Sequence, residues 1–103
     1  MSQRFRITRS MQGEQGGLPS ITLEECIQYF ASLSDFAYST KLVVTGAEST
    51  MTIEGDFFMW TYEDLEIPFR LYMGDIYVAV TNEAVIPKMM DIATDLRADI
   101  LEG

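Results

Sequence analysis

IPFRLYMGDIYVAV, residues 67–80, carries the strongest local signal in the chain, because a glycine flanked by two runs of strand-forming residues marks a hairpin. Glycine in the first position of a two-residue turn supplies the positive φ of a type II′ turn, which puts the turn at Gly74-Asp75. That turn predicts Met73 opposite Ile76, Leu71 opposite Val78 and Phe69 opposite Val80, so one face of the strand pair is apolar throughout. The reverse face pairs Tyr72 with Tyr77 and Arg70 with Ala79.

Upstream, a five-residue loop from Tyr62 to Glu66 puts Met59 opposite Phe69, Phe57 opposite Leu71 and Phe58 opposite Arg70. Gly55 interrupts the preceding run and marks a bulge or bend. KLVVT, residues 41–45, is a further strand rich in β-branched side chains, and Gly46 to Ser49 is its turn. RFRITR, residues 4–9, alternates charged with apolar positions as a half-buried strand does, and SMQGEQGGLPS, residues 10–20, reads as a long loop. A helix starts at Thr22, where Thr22 and Glu25 form a capping box, and Leu23, Cys26, Ile27, Phe30 and Leu33 line one face of it. A second helix carries Val85, Met89, Ile92, Ala93 and Leu96, with Asn82 as the candidate cap. Pro87 either opens its regular part or follows a distorted first turn. Ile100 adds a short edge strand. The expected fold is α+β: a single domain over 1–103, a two-layer sandwich in which an antiparallel sheet of four to six strands carries two helices on one face.

The closing segment PKMMDIATDLRADILEG, residues 87–103, resembles the last helix and strand of small bacterial proteins of the immunity type. The resemblance covers about a sixth of the chain, rests on apolar positions ending in Glu-Gly, and carries over no site residues. It implies an immunity-like role.

Composition narrows the chemistry. With no histidine, Ser-His and Cys-His nucleophilic pairs are excluded, and with one cysteine so are an internal disulfide and a Cys/His zinc site. Cys26 reads as a small buried apolar residue, which fits a reducing, cytoplasmic compartment. No cofactor motif is present: Gly13, Gly16 and Gly17 lack both the lysine and the spacing of a phosphate loop. The acidic residues near the turns read as solvated surface, as do Asp91 and Asp95 on the second helix. The net charge of −9 disfavours nucleic acid and anionic membranes and favours a basic partner.

If both helices cover one sheet face, the predicted register leaves Phe58, Trp60, Arg70, Tyr72 and Tyr77 on the other, with Glu54 and Asp56 at one end. Aromatic rings and arginine on an open face are hot-spot residue types. The expectation is therefore a non-catalytic protein-binding module, an immunity or inhibitor protein that neutralises a basic toxin or nuclease. Trp60, Tyr72 and Tyr77 are its anchors, Arg70 its central polar contact, and Glu54, Asp56, Glu63, Asp64 and Asp75 its steering charges. A homodimer is a second way to cover such a face. The alternative function is a small-molecule-binding domain or minor enzyme with a pocket between sheet and helices, lined by methionines and aromatics.

Overall fold

Six strands and two helices follow one another as β1 (Gln3–Thr8), α1 (Leu23–Ala31), β2 (Phe36–Thr45), β3 (Thr50–Tyr62), β4 (Leu65–Tyr72), β5 (Asp75–Val80), α2 (Val85–Asp95) and β6 (Asp99–Glu102). The computed structural model describes residues 3–9 and 21–103, so the loop expected over 10–20 lies outside the described residues. The strands form one antiparallel sheet in the order β2-β3-β4-β5-β1-β6. Both helices pack on one face of it, and a single buried cluster joins Cys26 and Phe30 of α1 and Met89 and Ile92 of α2 to Ile7, Phe58, Phe69 and Ile76 of the sheet. This is the expected α+β two-layer arrangement. Among the described residues no helix is long and apolar enough to cross a membrane.

The central hairpin differs from expectation by one step along the turn. Met73 (φ 50°) and Gly74 (φ 85°) are both left-handed, the signature of a type I′ turn, and the strands pair Tyr72 with Asp75, Leu71 with Ile76, Arg70 with Tyr77 and Phe69 with Val78. The partners shift by two residues. Because side chains alternate with period two, the faces survive that shift.

The β3–β4 connection has a larger effect. It is a two-residue turn at Glu63-Asp64, with Glu63 at φ 54°, in place of the expected five-residue loop, and it pairs Tyr62 with Leu65, Trp60 with Ile67, Phe58 with Phe69 and Phe57 with Arg70. The register moves by one residue, so β3 is turned over. Phe58 and Trp60 point into the core, at 0% and 5% exposure, and the expectation that they lie on the open face is corrected. Burial here is well supported: Phe58 stacks on Phe30 at 4.5 Å, Trp60 lies against Phe36 and Phe69, and the indole Nε1 donates a 2.8 Å hydrogen bond to the Asp35 carboxylate.

Gly55 falls where the β2–β3 register breaks, as a bulge would require. Between Ser39↔Phe57 and Lys41↔Glu54, β2 advances two residues while β3 advances three. β4 pairs with β3 only from Asp56 onward, so residues 41–54 of the β2–β3 hairpin project as a two-stranded arm. The long axis of the molecule, 48 Å against 26 and 25 Å, reflects that extension.

At the helix ends, Thr22 accepts the Glu25 backbone N–H at 3.2 Å as expected, but Ile27 is exposed rather than part of the buried stripe. Asn82 bonds the Ala84 N–H at 2.9 Å, one turn before the regular helix, and Pro87 is the third residue of α2, where its missing N–H leaves no bond unmade. Arg9 ties three elements together. Its guanidinium grips the Glu25 carboxylate of α1 with two bonds, one of them 2.8 Å long, and its Nε donates to the Leu96 carbonyl at the end of α2 at 2.8 Å.

Candidate functional site

The sheet face away from the helices is where the unexplained surface lies. The register sets one residue of every strand in a row across it: Ser39, Phe57, Arg70, Tyr77, Arg6 and Leu101, from β2 to β6. Beside that row lie Tyr72 on β4, whose ring meets Tyr77 edge-on at 6.3 Å, and Arg4 on β1. A groove of about 410 Å³ opens here, lined by Phe57, Pro68, Arg70, Tyr72 and Tyr77 and continued by Leu42 and Ile53 at the foot of the arm. Such a volume is within the range of ligand pockets.

Phe57 is the floor of the groove. It is buried at 2% exposure although it belongs to no part of the sheet–helix core, because the Arg70 guanidinium lies over its ring at 5.5 Å. The same guanidinium lies over Tyr72 at 4.9 Å. Gly55 leaves the space for this: a Cβ there would come within 3.2 Å of the Phe57 ring and 3.3 Å of Arg70 Nε. Arg70 therefore sits in a fixed stack of rings. On the far side of Tyr77, Arg6 approaches the Asp75 carboxylate at 3.7 Å, a long contact. The Nε atoms of both Arg6 and Arg70 are buried without a hydrogen-bond partner.

Of the ten residues expected to bind a partner, the structure brings Arg70, Tyr72, Tyr77 and Asp75 together. It does not bring in Phe58 or Trp60, as described. Glu54 pairs with Lys41 across the arm. Asp56 is on the helix side, opposite Leu71, and accepts the Tyr38 hydroxyl at 2.6 Å, a bond that raises the tyrosine's pKa. Glu63 and Asp64 form the turn at the opposite end of β4 from Tyr72. Sequence reasoning missed Phe57, Arg4, Arg6 and the apolar side of the arm, where Leu42 pairs with Ile53 and Val44 with Met51. Val44 and Met51 are exposed, Met51 at 59%. The signal for the arginines was the alternation Arg4-Phe5-Arg6-Ile7, which sends both guanidinium groups to the face opposite Phe5 and Ile7.

The titratable groups on the helix side are structural. Burial pushes the Cys26 thiol up to about 12. Burial also works to raise Asp35, but hydrogen bonds from Lys88 at 3.0 Å and Trp60 outweigh it and leave the carboxyl below its ordinary value. Glu25 is held low by its Arg9 hydrogen bonds, against burial, with help from the Thr22 backbone. A shallow cleft between the helices, about 230 Å³, is lined by Tyr29, Lys88, Asp91 and Asp95, and Tyr29 donates to Asp95 there at 2.6 Å. No cluster of three or more potential metal ligands occurs among the described residues.

Comparison with family models, with curated proteins and with solved structures finds no match to this chain.

Proposed function

We propose that the chain is a non-catalytic protein-binding module that meets its partner through the helix-free face of the sheet and the adjoining side of the β2–β3 arm. One observation carries this reading. Leu42, Val44, Met51 and Ile53 run along one side of the arm and lead without a break into the aromatic groove at Phe57, Tyr72 and Tyr77. A continuous apolar and aromatic surface ending in a pocket with arginine at its centre has the composition of a protein contact. Flat edges and projecting two-stranded arms are also efficient platforms for a second chain.

The immunity or inhibitor role is the biological form that the net charge of −9 supports, since such a body attracts a basic toxin or nuclease at long range. The lone buried Cys26 suits a reducing, cytoplasmic setting. The small-molecule alternative fits the groove on the helix-free face better than the layer between sheet and helices, which Phe58, Trp60, Phe69 and Met89 fill.

The test is affinity capture from the cell of origin, followed by a Kd for the captured protein against surface variants. Tyr72→Ser and Met51→Ser alter exposed positions of the proposed face, and each is expected to weaken binding by about tenfold or more. Met90→Ser, on the exposed side of α2, is expected to leave it unchanged. The reverse pattern, with Met90 critical and Tyr72 and Met51 neutral, moves the binding surface to the helices and removes this reading.

A further inference from the structure

We infer that the groove takes a carboxylate: the partner contributes an aspartate or glutamate side chain, flanked by apolar residues, that seats on Arg70 beside Tyr77, with Arg4 lining the same groove. This rests on the protein-binding reading and specifies the chemistry of its central contact. The body of the protein is strongly acidic, yet Arg4, Arg6 and Arg70, three of its seven basic residues, project onto this one face. The sign of charge at the point of contact is thus opposite to that of the molecule. The groove selects for an anion locally, whatever the charge of the partner as a whole.

The arginines are poised rather than used. Neither Arg4 nor Arg70 meets a carboxylate among the described residues, and Arg6 has only the 3.7 Å approach of Asp75. Arg70 Nε is buried without a hydrogen-bond partner, so this guanidinium carries donor capacity that no described residue uses. Arg70 is also oriented. The rings of Phe57 and Tyr72 and the space left by Gly55 restrain its planar guanidinium, a group that a carboxylate can meet with two parallel hydrogen bonds. The surrounding apolar walls, Leu42, Ile53 and Pro68, suit hydrophobic neighbours on either side of that carboxylate.

The experiment is an NMR titration of the ¹⁵N-labelled protein with the blocked peptide acetyl-Ser-Leu-Asp-Phe-Ser-amide, its Asn counterpart, and free phenylacetate. The expected result is a saturable shift of the Arg70 Nε–H signal and of the Tyr72 and Tyr77 amides, with the Asp peptide about tenfold tighter than the Asn peptide. Arg70→Gln should abolish that difference and Arg70→Lys should reduce it, because lysine keeps the charge without the fork. Lys41→Gln, which removes one positive charge from the other face of the arm, should not change it. Equal binding of the Asp and Asn peptides, or no saturation by about 10 mM, overturns the inference. Phenylacetate binding as tightly as the Asp peptide reassigns the groove to free small acids. Concentration-dependent shifts of the same signals without peptide assign it to a second copy of the chain, and both outcomes overturn the peptide source. Failure of the titration alongside partner binding that still depends on Met51 removes the carboxylate and leaves the module reading intact.

Discussion

Arg9 shows how much one side chain can organise in a small domain. It bonds the first turn of α1 through Glu25 and the last carbonyl of α2 through Leu96, while its own backbone follows β1. Hydrogen bonds to charged groups contribute about 1.5–3 kcal/mol each where the alternative is an unmet partner, so Arg9→Ala is expected to cost about 2 kcal/mol. At about 4–8 °C per kcal/mol for a domain of this size, that is a fall of about 10 °C in Tm by calorimetry or circular dichroism. The pair also sets a pH dependence. Glu25 has its folded pKa depressed by Arg9, so the unfolded chain binds the proton more readily, and the stability from this pair is present above the ordinary carboxylate value of 4.5 and lost as pH falls through the folded pKa. The stability difference between the protein and its Glu25→Gln variant should therefore be full at pH 6 and shrink steadily below about pH 4.5. Cys26 offers a second residue-scale check. Buried and with its thiol pushed up to about 12, it should not react with a thiol reagent at pH 8 unless the protein is unfolded, and rapid native-state labelling would contradict its place in the core.

At the scale of elements, turns decide what the strands present. Met73 occupies a left-handed position at 84% exposure, with only its backbone committed to the type I′ turn. Asparagine is at ease there, so Met73→Asn is expected to raise stability by about 0.5–1 kcal/mol in a urea melt. The same turn explains which parts of the fold were legible. Gly74 announces a hairpin, but the two left-handed residues begin at methionine, a residue type with no left-handed preference, so the sequence points to a turn one position late. An even shift in pairing did no harm to the faces. The run Phe57-Phe58-Met59-Trp60 was not legible in this way, because four large apolar residues in succession give no phase, and the neighbouring Glu63-Asp64 carries no glycine or asparagine to announce a two-residue turn. The choice between Phe58-Trp60 and Phe57-Met59 as the inward pair is made by tertiary partners: the Phe30 and Phe36 rings and the Asp35 carboxylate that receives the indole. The helices are legible, since Cys26, Phe30, Met89 and Ile92 repeat at helical spacing and all four are buried. Arg70, Tyr72 and Tyr77 were found on the open face for the same reason that the hairpin was found.

For the whole molecule, the main division is between a packed body and an arm. Residues 41–54 have one neighbouring strand in the arm, whereas β4 and β5 are paired on both sides and carry the core. Amide hydrogen exchange should therefore be faster by orders of magnitude at Val43, Val44 and Thr52 than at Phe69 and Val78; equal protection would mean that another chain covers the arm in solution. The sheet order has a consequence for biosynthesis. β1 precedes the other strands yet is inserted between β5, the last strand of the meander, and β6, which follows α2, so neither neighbour is available until the meander is complete. Hairpins β2–β3, β3–β4 and β4–β5 can close as soon as they emerge, each over a short contour, whereas the first strand must wait for residues 75–102. Until then Phe5 and Ile7 have no neighbouring strand, which makes that segment the last of the sheet to be buried.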